Sequence, residues 1–322
     1  MNASIATPSE VTDRRHDAYE KLLQRCRTLE PVVTAVAFPC EETALAGSVE
    51  EAEANLINPI LVGPRQKIRE IAQAARLNID PYPIEDVPES HAAAARAVEL
   101  VRLAKAEVLM KGSLHTDELM GAVVASATGL RTSRRISHAF VMSVPTYPKP
   151  LIITDAAINI APTLDEKRDI CQNAIDLAHG LGRDQPKVAI LSAVETVTTK
   201  IPSTIDAAAL CKMAERGQIT GALLDGPLAL DNAINLEAAR TKGIASPVAG
   251  DADILVAPNL EAGNILAKQL TFLANADAAG LVLGARVPII LTSRADSVRA
   301  RMASCGVALL AAHARRNRVK PS

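Results

Sequence analysis

Short, β-branched apolar runs and amphipathic helical stretches take turns along nearly the whole of this chain, and that alternation leaves few folds open. The runs VVTAVAF (32–38), NPILVG (58–63), EVLMKG (107–112), AFVMSV (139–144) and LIITDA (151–156) read as strands, as do KVAILSA (187–193), ITGALLDG (219–226), ADILVAP (252–258), GLVLG (280–284) and PIILT (288–292). Helical spacing fills the intervals, over 42–55, 65–77, 91–106, a stretch that Thr116 can cap, 164–179, 205–216, 261–274 and 295–314. A strand followed by a crossover helix returns the chain parallel to itself. The pattern therefore predicts an α/β fold with largely parallel sheets covered by helices on both faces, and ligands near the carboxyl ends of strands.

At 322 residues and 48% hydrophobic content, the chain can bury one large core or two ordinary ones, and its length leans towards two. The Pro-punctuated turn VPTYPKP (144–150) is the expected exit from a first domain, 1–149, into a second, 150–294. With no Trp, three Tyr and three Phe, the core must be built from aliphatic side chains, which suits helices packed on parallel strands. A formal net charge of -1 supplies no field to draw nucleic acid or an anionic membrane. No run approaches the ~18 apolar residues of a membrane span, and MNASIATPSEVTDRRHD has no signal-peptide core, so the chain is expected in the cytoplasm. Five scattered cysteines (26, 40, 171, 211, 305), never in a CxxC pair, signal neither a disulfide framework nor a zinc site and are read as packed thiols.

Polar clusters follow the strands: KGSLHT (111–116), TDAAINIAPT (154–163), AVETVTTKIPST (193–204), DGPLALDNA (225–233), PNLEAGN (258–264) and TSRADS (292–297). Taken singly, each serves as a helix cap or a turn. In PIILTSRADS, Ser293 is the expected N-cap of the last helix, with Asp296 three residues on completing a capping-box-like pair. A cap does not call for Arg294, however. A guanidinium beside free helix amides suits a dianionic phosphate. No G-x-x-x-x-G-K-[ST], G-x-G-x-x-G, G-x-S-x-G or H-E-x-x-H motif occurs, and of six dispersed histidines His115 and His138 lie nearest the polar loops.

The runs KIPSTIDAAALCKMAERGQITGALLDGPLALDNAINLEAAR (200–240), VAGDADILVAPNLEAGNILAKQLTFL (248–273) and LTSRADS (291–297) resemble the phosphate acetyl/butyryltransferase family. So do LMKGSLHT, GLRTSRRISHAFVM and LIITDAAINIAPTLDEKRDI upstream, and the wording of LTSRADS is similar to the butyryl branch. The resemblance implies a two-domain architecture like that of isocitrate and isopropylmalate dehydrogenases, with the active-site cleft between domains and the final segment (about 295–322) completing the first domain. It implies reversible transfer of a short acyl group (acetyl, propionyl or butyryl) between coenzyme A and inorganic phosphate, giving acyl phosphate, with no metal or redox cofactor and commonly as a homodimer.

By that resemblance Ser293 and Arg294 bind the phosphoryl group and stabilise the transition state. Acetyl-type members carry an aspartate six residues beyond the arginine as the thiol base, and this chain has Ala300 there. Asp296 is the nearest carboxylate that could replace it, in competition with its capping role. Lys111, Thr116, Thr132, Ser133, Arg134, Asp155, Asn159, Asp225, Gly226 and Asn264 are candidate contacts to phosphate or CoA, each with a turn-forming, capping or solvent-facing alternative. Two other readings stand beside this one. A non-catalytic acyl-CoA or phosphate-binding regulator would fit Ala300, and a decarboxylating dehydrogenase would need a nicotinamide site and paired metal-binding aspartates, of which no clear set is found.

Overall fold

The computed structural model describes residues 18–291 and 296–319. These divide into a split unit, made of Leu22–Arg134 with the residues from Ala279 onward, and a central unit of Arg135–Ala278, to which residues 18–21 also belong. The chain passes between units at 134/135 and 278/279, where the sequence pattern suggests 149/150 and 294/295. Strand pairing gives the reason. Strand β5 (Ser137–Ser143) lies antiparallel on β6 (Leu151–Thr154), from Ala139 opposite Thr154 to Met142 opposite Leu151, so the proline-rich turn joins two strands of one unit.

In the split unit the strands are β1 (Val32–Ala37), β2 (Ile57–Gly63), β3 (Ile84–Asp86), β4 (Val108–Lys111), β10 (Asp277–Leu283) and β11 (Ile289–Ile290). Their order is β3-β2-β1-β4-β11-β10, parallel throughout except between β10 and β11. Helices α1 (18–26), α2 (Glu42–Glu53), α3 (Arg65–Ala74), α4 (Ser90–Arg102), α5 (Thr116–Val124) and α11 (Val298–Val319) accompany them. The sequence of β1 is apolar on both faces because both are covered, and its one hydroxyl, on fully buried Thr34, donates to the Val32 carbonyl at 3.0 Å. Helix α4 buries Ala93, Ala94 and Ala97 beside Val98, Leu100 and Val101. Small side chains on that face let the helix axis approach the strands closely.

The central unit has the order β5-β6-β9-β7-β8, with β9 (Ile254–Val256), β7 (Lys187–Leu191) and β8 (Leu223–Leu228) parallel to β6. Its helices are α6 (Leu164–Gly180), α7 (Pro202–Glu215), α8 (Leu230–Ile234), α9 (Leu236–Thr241) and α10 (Leu260–Leu273). The core is aliphatic as composition requires: Met142, Leu151, Ile153, Leu228, Val248, Leu255 and Ala267 pack in one buried cluster. Each such Ile or Leu contributes about 1.5–3 kcal/mol on leaving water. At the amino ends of these strands Lys149 bridges Asp251 (2.8 Å) and Asp253 (2.9 Å), and Lys187 pairs with Asp251 at 2.7 Å. That edge carries charge pairs that hold strands together, opposite the edge where ligands gather.

Candidate active site

In the split unit the chain runs from β1 outward to β2 and β3, and then returns to place β4 on the other side of β1. Connections therefore diverge between β1 and β4, the place where open α/β sheets take ligands. The two strand ends are clasped there. Ser113 Oγ donates to the Phe38 carbonyl (2.8 Å) and accepts from Cys40 N (3.1 Å). Gly112 has to be glycine, since a Cβ would lie 2.5 Å from the Ala37 carbonyl oxygen. Phe38 takes a left-handed conformation with φ 55°, and Lys67 sits over its ring at 5.4 Å.

Lys111 is half-buried and turns its ammonium onto its own loop, donating to the Gly112 (3.1 Å) and Leu114 (3.4 Å) carbonyls. Thr116 is exposed and is the first residue of α5, whose N-cap is His115, so the capping expected of Thr116 is not what it does. Thr132 is exposed; its hydroxyl donates to the Gly284 carbonyl at 2.6 Å and accepts from Arg134 N at 3.1 Å. Ser133 is exposed and Arg134 half-buried.

Thr292, Ser293, Arg294 and Ala295 lie outside the described residues. The last helix begins at Val298, not near 295, and the residue that caps it is Ser297, whose Oγ accepts from Ala300 N at 3.2 Å. The capping box expected of Ser293 and Asp296 is thereby corrected: Asp296, half-buried, precedes the cap.

Asp155 and Asn159 are both buried in the central unit, where they bind each other and the surrounding backbone. Asp155 Oδ1 accepts from Ala157 N (2.9 Å) and Ile158 N (3.0 Å), while Oδ2 accepts from His138 N (3.2 Å), Asn159 N (3.3 Å) and Asn159 Nδ2 (2.5 Å). Asn159 also donates to the Ile136 carbonyl and accepts from Arg135 Nε at 2.7 Å. These residues shape the loop after β6, and Gly263 shows how closely α10 approaches it, since a Cβ there would lie 2.3 Å from the Asp155 carbonyl. Half-buried Asn264 adds a bond from its Nδ2 to the Ala156 carbonyl at 2.9 Å. Asp225 Oδ1 accepts from Gly226 N, and Gly226 packs on Ile190 where the β7–β8 register shifts.

Arg135 is a residue that the sequence reading passes over in favour of Arg134. Its guanidinium is held by Asn159 and by Glu166 (3.1 Å), the latter fixed by a capping box with Thr163, and half of the side chain remains exposed. No pattern in the sequence separates two adjacent arginines; only the partner on the next loop does. His138 is buried and burial pushes its imidazole down to about 4 against the raising effect of Asp155, so it is neutral, with Nδ1 lacking a hydrogen-bond partner. Burial likewise pushes the thiols of Cys26 and Cys40 up to about 11 and those of Cys171 and Cys211 up to about 12, and Cys305 well above its usual value. None of the five is a thiolate near neutral pH, which makes them poor nucleophiles for a covalent acyl intermediate. Among the described residues no group of three or more His, Cys, Asp or Glu side chains is placed to hold a metal ion, and no helix is long and apolar enough to cross a membrane.

Residues 89–309 match the family model described as "Phosphate acetyl/butaryl transferase". The chain belongs to this family. Its relatives include a phosphate acetyltransferase of Rhizobium meliloti, 68% identical over 92% of this chain and 94% of that protein. A phosphate butyryltransferase of Clostridium beijerinckii is 42% identical over 91% of this chain and 97% of its own length. The butyryl-like wording of LTSRADS thus sits in a chain with greater overall identity to a relative named for acetyl transfer. Among solved structures, a branched-chain phosphotransacylase from Enterococcus faecalis V583 superposes with a TM-score of 0.77 at 30% identity, covering 88% of this chain and 99% of that one.

Proposed function

We propose that this chain transfers a short acyl group reversibly between coenzyme A and inorganic phosphate, with acetyl as its main acyl group. The observation that carries the reading is identity of 68%, over 92% of the chain, to a phosphate acetyltransferase. In the direction of CoA acylation, the CoA thiol loses its proton and its sulfur attacks the carbonyl carbon of the acyl phosphate. The tetrahedral oxyanion then collapses, expelling phosphate and leaving the thioester. Two anionic reactants have to be held in line and the growing charge met by fixed donors. Arg294 and Ser293 are proposed for that task, and Asp296, the nearest carboxylate along the chain, as the base. Direct attack by CoA is favoured over a cysteinyl intermediate by the raised thiol pKa values.

Lys111, Thr116, Ser133, Arg134 and Arg135 are proposed as the polar groups that meet phosphate or CoA. Asp155, Asn159, Asp225, Gly226 and Asn264 act by fixing the loops. We further propose an isocitrate-dehydrogenase-like arrangement, a homodimer, a cytoplasmic location, and chemistry without metal or redox cofactor. The test is phosphate-dependent release of CoA thiol from acetyl-, propionyl-, butyryl- and isobutyryl-CoA by metal-free protein, run beside Arg294→Ala. Wild-type turnover, fastest with acetyl-CoA, and a loss of about 100-fold or more in the variant are expected. Silence with all four thioesters while CoA still binds would favour the regulator reading, and near-normal turnover by Arg294→Ala would remove Arg294 from the mechanism.

A further inference from the structure

The four most exposed large apolar side chains among the described residues gather at one helix of the central unit. Phe272 and Leu273 are each 78% exposed and Ile265 64%, all on α10. Ile160, 74% exposed, stands at the start of the same helix, where its carbonyl accepts from Leu260 N at 3.0 Å. The opposite side of α10 is packed: Gly263 and Ala267 are buried, and Leu266, Leu270 and Ala274 lie against the central core. A helix that is apolar on both sides has a second face to cover. On that outer side Glu261, Ile265, Lys268 and Phe272 recur at helical spacing, all exposed. Neither Glu261 nor Lys268 has an ion-pair partner among the described residues.

We infer that this face is where a second copy of the chain docks, the two α10 helices lying antiparallel about a two-fold axis at Ile265. Glu261 stands four residues before Ile265 and Lys268 three after, about 6 and 4.5 Å along the helix, so the axis sets each glutamate beside the partner's lysine. Phe272, seven residues beyond Ile265, then reaches with Leu273 past the start of the partner's α10, where the second Ile160 stands. Each exposed apolar side chain thus meets another, and each unpaired charge its opposite. The four apolar side chains present on the order of 500 Å². A standard interface takes about 800 Å² from each partner, somewhat more than half of it apolar, so the patch matches the apolar centre that a stable dimer needs. A membrane surface is a poorer occupant, because an interfacial helix is rimmed by Lys and Arg, and this face balances one Lys with one Glu.

The inference rests on the homodimer of the proposed reading and not on its chemistry, so the test needs no assay of acyl transfer. Sedimentation equilibrium of the full chain is compared for wild type, Phe272→Glu, Lys268→Glu, the reversal Glu261→Lys with Lys268→Glu, and Leu103→Glu at an exposed apolar site of the split unit. Circular dichroism melts show which variants fold. A dimeric wild type is expected. Phe272→Glu should raise its dissociation constant about 100-fold or more, since an isologous contact loses the side chain twice. Lys268→Glu should raise it about tenfold, the reversal should bring it back to within about threefold of wild type, and Leu103→Glu should leave it unchanged. A wild type that is monomeric throughout overturns the inference and the homodimer together. A dimer that survives Phe272→Glu overturns the inference alone, as does an equal loss in Leu103→Glu or a reversal that dimerises no better than Lys268→Glu. Should Phe272→Glu fail to fold, Lys268→Glu and its reversal decide, because both positions are exposed and their exchange spares the core.

Discussion

Two of the buried carboxylates, Asp155 in the central unit and Glu51 in the split unit, are kept out of water by different means. Asp155 accepts five hydrogen bonds, four of them from groups at positions 157 to 159 of its own loop. Glu51 depends on a distant helix: its neighbours are the Cys305 thiol and the Arg301 charge, its Oε2 has no hydrogen-bond partner, and burial pushes its carboxyl up to about 7. A turn that folds back on an acid supplies amides at fixed short range, so burial is compensated wherever the turn forms. An acid that relies on side chains 250 residues away is compensated only in part, and it stays partly protonated near neutral pH.

The largest effect is expected at the satisfied acid. Asp155→Ala strands the donors of His138, Ala157, Ile158 and Asn159 in a buried site, at a cost of about 3 kcal/mol or more. The melting temperature should drop sharply, and a drop as small as that of a surface substitution would break the comparison. Glu51→Gln should act in the opposite sense and depend on pH. In wild type the folded-state pKa is raised from 4.5 to about 7, so the protonated folded form is favoured, and that stability is full below about pH 4.5 and lost as pH rises to about 7. Glutamine cannot ionise. The variant should therefore gain on wild type between pH 5 and 8, by an amount on the order of 3 kcal/mol at most. A melting-temperature difference that stays flat across this range would mean Glu51 titrates as a surface acid does. The smallest effect belongs to Lys212→Ala, which breaks an exposed pair with Glu215 one turn away on α7; below about 0.5 kcal/mol is expected, and thermal melts calibrate the other two against it.

Much of the fold was legible because buried parallel strands are written as unbroken apolar runs, and VVTAVA or LIIT has no other comfortable structure. Legibility failed where local turns intervene. ITGALLDG predicts a strand over 219–226, but Gly221 takes φ 83° and Thr220 N is drawn to Gln172, so β8 starts only at Leu223 and runs to Leu228. The three residues of β3 and the short helices α8 and α9 are below the length at which periodicity speaks. Ser297 rather than Ser293 caps α11 because two serines four apart offer the same chemistry and only the backbone chooses.

The candidate site was legible in kind more than in role. Polar clusters do follow the strands, and the resemblance to the family rests on the longer runs that contain them. Asp155, Asn159 and Thr132 bond backbone and side chains of loops brought together by the fold, a matter of three-dimensional partnership that spacing does not encode. Arg135 stood beside the arginine that was singled out and differs from it by the company of Asn159 and Glu166.

The protonated state of the five cysteines has a consequence for a protein proposed to work on thioesters. Acyl-CoA surrenders its acyl group to any thiolate that reaches it, and five reactive thiols would steal acyl groups from the reaction or form mixed disulfides with oxidised CoA. Burial pushes all five thiols further above neutral pH, so little cysteine thiolate is present to compete with CoA for acyl groups.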